Sequence, residues 1–174
     1  YEKAGIYRPG RPAICADSDP PRRLVDHAEG IGALFRRVGH GYGFARNGPT
    51  WRWWSDESRL DELPPPALAG EHQIGNAAAA LATLASLRHR LPVPPDAIRA
   101  GLARVRLPGR FQIVPGPVEW ILDVAHNPHG AAVLAGNLRA RPRFGRTRAI
   151  LGMLADKDAS GVIQALSDVQ ALLG

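Results

Sequence analysis

The residues of this sequence that are best suited to chemistry lie in one stretch, residues 107–129. Arg110 follows Gly109 in a predicted turn, and Asp123 and His126 follow an apolar segment that predicts a strand. In an open α/β sheet, ligands bind beyond the carboxyl ends of the strands, where loops carry polar groups and helix N-termini offer unpaired N–H donors. A guanidinium can bind two phosphate oxygens at once. The stretch therefore predicts that Arg110, Asp123 and His126 meet one anionic ligand.

Each of these residues also has an ordinary structural explanation. Asp123 could instead cap the helix that begins after Pro128, because Asp is common at helix N-termini. A carboxylate at the end of an apolar strand is costly to bury alone, so Asp123 is expected at the rim of the sheet, where it accepts hydrogen bonds. Arg110 is one of 20 arginines, most of which should lie on the surface. The residues alone leave both interpretations open.

Several segments resemble one enzyme family, in the order that the family uses. LPGRFQ, followed by ILDVAHNPHGA, resembles the C-terminal signature of bacterial folylpolyglutamate synthases, which are often bifunctional with dihydrofolate synthase and belong to the Mur ligase superfamily. The further matching segments are EKAGIYRPGRPAI at 2–14, GEHQIGNAAAALA at 70–82 and LGMLADKDASGVI at 151–163. On these motifs the chain is identified as a member of the family.

The resemblance implies an α/β fold in two parts. Residues 1–105 would form the C-terminal part of a central, P-loop-type ATP-binding domain, and residues 106–174 the N-terminal part of a truncated, Rossmann-like C-terminal α/β domain. The sequence contains no G-x-x-x-x-G-K-[ST] motif and does not begin with methionine. We therefore expect a fragment, inactive alone, whose phosphate-binding loop and pterin site lie elsewhere.

The resemblance also implies which residues contact ATP. Asn76 would contact ATP, and Gln73 lies three residues earlier, on the same face of a predicted helix. Amide side chains have one donor group and one acceptor, which suits the edge of adenine. The structural alternative is a hydrogen-bond network at the start of that helix, over residues 70–76.

From the C-terminal domain, Arg110 would reach ATP and couple domain closure to catalysis. Asp123 would contact the nucleotide, and His126 would lie near the phosphates. Lys3 matches the family's carbamylated lysine, and a carbamate supplies the hard oxygen ligands that suit Mg²⁺. Its alternative is an ordinary lysine at a helix end, matched to the helix dipole.

The implied reaction is ATP-dependent amide formation, with ATP and Mg²⁺ as cofactors. ATP would phosphorylate a pterin-linked carboxylate of dihydropteroate or folate, and the amine of L-glutamate would attack the acyl phosphate. A Mur-type peptidoglycan ligase is the alternative within the superfamily, although the EKAGI, LPGRF and DVAHNPH motifs favour the folate enzymes. The partners would be small molecules only, and the full-length protein is expected to be a monomer.

Composition adds three expectations. The net charge of +6 and pI near 10.4 raise the alternative of a basic nucleic-acid-binding module, but the basic residues are scattered arginines, which favours a solvated surface. A single cysteine, Cys15, excludes an intrachain disulfide. The sequence has neither a long apolar run nor a signal-peptide pattern at its N-terminus, so a cytoplasmic setting is expected.

Apolar spacing and turn residues predict the local elements. Helical spacing from Leu24 to Val38 predicts one helix. Asn47-Gly48 between two aromatic segments predicts a β-hairpin, with the tryptophans packing rather than stacking on bases. The other predicted helices cover 71–87, 96–103, 130–138 and 160–172, and the other predicted strands cover 12–16, 118–124 and 149–153.

Overall fold

The computed structural model describes residues 2–142, 145 and 147–171, without the side chains of Glu2, Lys3, Asp168, Gln170 and Ala171. The chain divides into two compact units, residues 1–67 with 71–105, and residues 68–70 with 106–174. Both units contain helices and strands, so the predicted α/β class is confirmed. In the described part of the chain, no helix is long and apolar enough to cross a membrane.

The first unit is built on a five-stranded sheet that follows a short 3-10 helix, Glu2–Ile6. The strand order is β1-β2-β3-β4-β5, in which the first two pairings are parallel and the last two antiparallel. The strands are β1 (Pro12–Cys15), β2 (Leu34–Val38), β3 (Gly41–Asn47), β4 (Thr50–Ser55) and β5 (Arg59–Leu63). The helices are α1 (Arg22–Gly30), α2 (His72–Ser86) and α3 (Pro95–Arg104).

The single helix predicted over residues 24–38 is wrong, because α1 ends at Gly30 and residues 34–38 form strand β2. Gly32 adopts φ 69° and donates to the Glu29 carbonyl, while Ala33 donates to the Ala28 carbonyl, each at 2.9 Å. This pair of bonds is the glycine-based Schellman ending of a helix. Apolar residues at helical spacing continue past it, but the pairing of β2 with both β1 and β3 decides the conformation.

The predicted hairpin is confirmed, and two of its three tryptophans pack in the core. Asn47 pairs with Thr50 across a two-residue turn in which Gly48 has φ 60°. Trp51 and Trp53 are buried against α2 and β5, and the Trp53 indole N–H donates to the Ala78 carbonyl of α2 at 3.1 Å. The core of the first unit therefore lies between β4 and α2, the helix that carries Gln73 and Asn76.

Tyr42 on β3 gives this unit a specific pH dependence. It is 2% exposed, and its hydroxyl donates to the Cys15 carbonyl at 2.7 Å. Burial, and secondarily negative charge on Cys15, raise the pKa of Tyr42 from 10.0 to about 12. Because the folded state binds this proton more tightly, Tyr42 stabilises the fold fully below pH 10, and this contribution declines as the pH rises toward 12.

We expect the free energy of unfolding of Tyr42→Phe to depend less on alkaline pH, because the variant has no phenol to ionise at this position. The free energy of unfolding, measured in urea at several pH values from 9 to 12, should fall less steeply in the variant than in the wild type. Tyr7, whose pKa burial also raises, remains in both proteins and is the internal control. Equal slopes for the two proteins would contradict the assignment to Tyr42.

The second unit contains a hairpin and two packed helices. Its elements are β6 (Gln112–Val114), β7 (Trp120–Leu122), α4 (Pro128–Arg139) and α5 (Ala159–Ala171). β6 and β7 pair antiparallel. The buried residues that join the helices are Ala131, Ala135, Val162, Leu166 and Val169.

Two strand predictions for this unit need correction. The strand predicted over residues 118–124 is only three residues long, and the segment 149–153 forms no strand among the described residues. A β-strand needs a neighbour to accept and donate its backbone hydrogen bonds. No described strand pairs with 149–153, and Ile150 is 85% exposed there.

Candidate functional site

The loop that carries Arg110, residues 107–111, is fixed against the end of β7. Gly109 has φ 69°, and a Cβ on it would lie 2.8 Å from Val124 Cγ1, so only glycine fits this approach. The Val124 backbone N–H donates to the Gly109 carbonyl at 2.8 Å. The Gly109 N–H in turn donates to Gln112 Oε1 at 3.0 Å. We call this segment the Arg110 loop.

Asp123 joins the Arg110 loop to the segment that follows β7. Its Oδ2 accepts from the Phe111 backbone N–H and its Oδ1 from the Ala125 backbone N–H, both at 2.8 Å. The residue is half-buried, so these two bonds compensate its carboxylate for lost hydration. The expectation that Asp123 accepts hydrogen bonds is confirmed.

The alternative role of Asp123, as the cap of the following helix, is wrong. The N-cap of α4 is Asn127, whose Oδ1 accepts from the Gly130 N–H at 2.8 Å, and Pro128 occupies the first turn. Asn at the N-cap with Pro directly after it is a favoured way to begin a helix. Asp123 lies too early in the chain for this role and bonds to the Arg110 loop instead.

Arg110 and His126 are exposed and lie on the two segments that Asp123 joins. In the described part of the second unit, the Arg110 guanidinium forms no hydrogen bond or ion pair, so its charge is available to an anion.

His126 Nδ1 lies 3.0 Å from the Val124 carbonyl. A carbonyl only accepts, so Nδ1 carries the proton, and Nε2 accepts in the neutral ring and donates in the charged ring. Only the charged form suits a phosphate oxygen.

In the first unit, Gln73 and Asn76 share one face of α2, as predicted. Asn76 Nδ2 donates to Gln73 Oε1 at 3.1 Å, and Asn76 is exposed. The cap residue Glu71 forms no side-chain bond to the helix and pairs with Arg46 at 2.8 Å. The pair of amides is thus adjacent at the first turns of α2, and its contact with adenine stays a prediction.

The metal site predicted at Lys3 has no described ligand set. Lys3 lies in the 3-10 helix Glu2–Ile6, but its side chain falls outside the described residues. Among the residues that the structure describes, no group of three or more His, Cys, Asp or Glu side chains could hold a metal ion. Those residues therefore do not by themselves form a metal centre.

Sequence comparison assigns the chain to a family. Residues 109–174, which contain the Arg110 loop from Gly109 onward, match the Mur ligase, glutamate ligase domain. The Escherichia coli K12 protein named dihydrofolate synthase/folylpolyglutamate synthase is 41% identical over 168 residues, which cover 97% of this chain and 38% of that protein. This chain belongs to the folylpolyglutamate synthase/dihydrofolate synthase family. The family predicted from the motifs is thereby confirmed.

Solved members of the family have the same fold over almost the whole chain. Escherichia coli FolC in complex with DHPP and ADP superposes with a TM-score of 0.84 at 42% identity, covering 97% of this chain and 39% of that one. A bifunctional enzyme of the family with Mn, AMPPNP and L-glutamate bound gives a TM-score of 0.82 at 41% identity. This match covers 96% of this chain and 39% of that one. This chain spans about two fifths of the length of these folylpolyglutamate synthase relatives.

Sequence reasoning missed three residues of the second-unit site. Gln112 accepts from the Gly109 N–H, Phe111 adopts φ 47°, and Asn127 caps α4. The Asn-Pro pair at 127–128 was a readable signal for the cap. The left-handed conformation of Phe111 had no such signal, because residues with a Cβ rarely adopt it.

Proposed function

We propose that the protein to which this chain belongs is an ATP-dependent carboxylate-amine ligase. It adds L-glutamate to dihydropteroate, to folate or to both. The observation that carries this proposal is the Arg110 guanidinium, which has no hydrogen-bond or ion-pair partner among the described residues, on a loop fixed to the end of β7 in a chain of the folylpolyglutamate synthase/dihydrofolate synthase family. The ligands named for solved relatives, ADP, DHPP and L-glutamate, support the same substrates here.

The proposed reaction has two steps. A carboxylate oxygen of the acceptor attacks the γ-phosphorus of ATP, which gives an acyl phosphate and ADP. The uncharged amine of L-glutamate then attacks the acyl carbon, the C–O bond to phosphate breaks, and the amine loses a proton as the amide forms. Both steps bring anionic groups together, so cationic side chains placed at the phosphates lower the barrier.

Each residue has a role in this proposal. Arg110 binds phosphate oxygens that gain charge during transfer, with its fork-shaped donors matching two oxygens. His126 donates from Nε2 to the phosphates in its charged form. Asn76, with Gln73 beside it, binds the adenine edge, and Asp123 accepts from the nucleotide through lone pairs that Phe111 and Ala125 leave open.

We also propose the domain assignment and the cation. Residues 1–105 are assigned to the central ATP-binding domain and residues 106–174 to the C-terminal domain, which the match over 109–174 supports. The natural cation is proposed to be Mg²⁺, because Mg²⁺ usually accompanies substrate phosphates. Lys3, once carbamylated, would contribute oxygen ligands to it. The protein is proposed to act in the cytoplasm as a monomer on small molecules.

The test measures ADP release by the purified natural protein with each substrate omitted in turn. We expect ADP release to require both L-glutamate and a pterin acid, with dihydropteroate and folate tried separately. D-Glutamate is the matched control for the amine and should support little release. Release that requires a UDP-linked acid instead would indicate the Mur-type alternative, and release that needs no amine would contradict the proposal.

A further inference from the structure

We propose that Asp123 is a positioning residue that holds Arg110 in place through the Arg110 loop. This role is separate from any contact of Asp123 with the nucleotide. It rests on the proposed function, because the benefit of a fixed Arg110 is its contact with phosphate oxygens.

Both neighbours of Arg110 have left-handed backbone angles. Gly109 has φ 69° and Phe111 has φ 47°. Glycine adopts this region freely, whereas a residue with a Cβ does so only when its surroundings impose it. Phe111 is 6% exposed, so its side chain is buried. The conformation of Phe111 therefore has to be stabilised by specific contacts.

The contact on the backbone of Phe111 is Asp123. The Phe111 N–H donates to Asp123 Oδ2, and the other oxygen of the same carboxylate accepts from Ala125. On the other side of Arg110, the Gly109 carbonyl accepts from the Val124 N–H. The Arg110 backbone is thus flanked by two residues that are each bonded to the chain just after β7.

The side chain of Arg110 is exposed. Its guanidinium has no hydrogen-bond or ion-pair partner in the described part of the second unit, so its direction depends on the backbone of the Arg110 loop. A shift of about 1 Å in a positioned group can lower turnover by roughly a hundredfold. The geometry gives Asp123 control over that position.

An amide cannot replace this carboxylate. Asp123 accepts two N–H bonds with two different oxygens, whereas asparagine has one oxygen and an NH₂ group that only donates. In Asp123→Asn, either the Phe111 N–H or the Ala125 N–H must face the donating NH₂ group, whichever way the amide is turned. The variant therefore keeps the shape of the side chain and removes one bond.

The test is a double-mutant cycle in the natural protein. Asp123→Asn alone should lower kcat/KM for ATP by roughly a hundredfold. In the Arg110→Ala background, the same substitution should cost at least about tenfold less, because only the nucleotide contact of Asp123 is then left to lose. Losses that multiply in full in the double variant would overturn the positioning role and leave Asp123 with the nucleotide contact alone.

A second measurement separates the proposal from the proposed function. In Asp123→Ala, which removes both bonds, hydrogen exchange of the Phe111 amide should accelerate at least about tenfold, while Val162 in α5 should be unaffected. Glu119→Gln, which neutralises an acid beside the same hairpin, is the matched control and should alter neither exchange nor kcat/KM. Unchanged exchange at Phe111 overturns the positioning role alone. A wild-type protein without ligase activity overturns the proposed function.

Discussion

Replacing Arg110 by alanine should lower kcat of the natural protein by about 100- to 1,000-fold, the usual cost of losing one donor to a developing oxyanion. The free energy of unfolding should change by less than about 0.5 kcal/mol, since the side chain is exposed and bonds to nothing in the described part of the second unit. Steady-state ADP release and urea unfolding measure the two effects.

Arg106 offers a matched control for Arg110. It is also an exposed arginine without a described hydrogen bond or ion pair, and it lies just before the Arg110 loop. Arg106→Ala should leave kcat within about twofold of the wild type. Arg110→Lys should recover only part of the activity, because an ammonium cannot match two oxygens as a planar fork does. Equal effects of the two alanine variants would contradict a specific role for Arg110.

Replacing Trp53 by alanine should destabilise the first unit by about 3–5 kcal/mol, the range measured for buried aromatic residues. Trp53 is 1% exposed and packs between β4 and α2, and it donates to the Ala78 carbonyl. The substitution removes the ring, leaves a cavity and breaks that bond. Urea unfolding, followed by circular dichroism, measures the loss.

The neighbouring Trp54 provides the control for this substitution. It points to the opposite face of β4, is 39% exposed, and lies against Gly43, where a Cβ would approach its indole to 2.5 Å. Trp54→Ala should therefore cost clearly less, about 1–2 kcal/mol. Equal losses for the two variants would contradict the placement of the core between β4 and α2. α2 carries Gln73 and Asn76, which are proposed to bind adenine. Because Trp53 packs against α2, the Trp53→Ala variant should also bind ADP more weakly.

Elements with a strong local signal could be predicted from the sequence. Ala-rich α2, the helix at α4 and the hairpin around Gly48 match their predicted positions within about two residues, which is the usual limit for boundaries. Their apolar periodicity and turn residues agree with the tertiary structure, so local and global preferences point the same way. In the segments whose predictions were wrong, local and global preferences do not agree.

Residues 34–38 and 149–153 show what local patterns omit. The spacing of apolar residues before Val38 suits a helix. Residues 34–38 nevertheless form β2, because they pair with β1, which lies earlier in the chain, and with β3, which follows. The segment 149–153 has a strand-like composition, but no described strand pairs with it. Strand formation depends on non-local partners, which one sequence does not reveal.

The candidate site was predictable in its residue types but not in its bonds. Spacing placed Arg110, Asp123 and His126 near the end of one strand, and their backbone segments do meet there. The choice between Asp123 and Asn127 as the helix cap depends on a few backbone angles, and both residue types are good caps. The contacts of these side chains with ATP remain predictions that the Arg110 experiments address.

The most direct test of the ligase account is the fate of a heavy-oxygen label in the acceptor carboxylate. The natural protein would be supplied with labelled folate or dihydropteroate, ATP and L-glutamate, and the released phosphate analysed by mass spectrometry. An acyl phosphate intermediate predicts one labelled oxygen in inorganic phosphate for each amide formed. Amide formation with unlabelled phosphate, or with the label in AMP, would contradict the account.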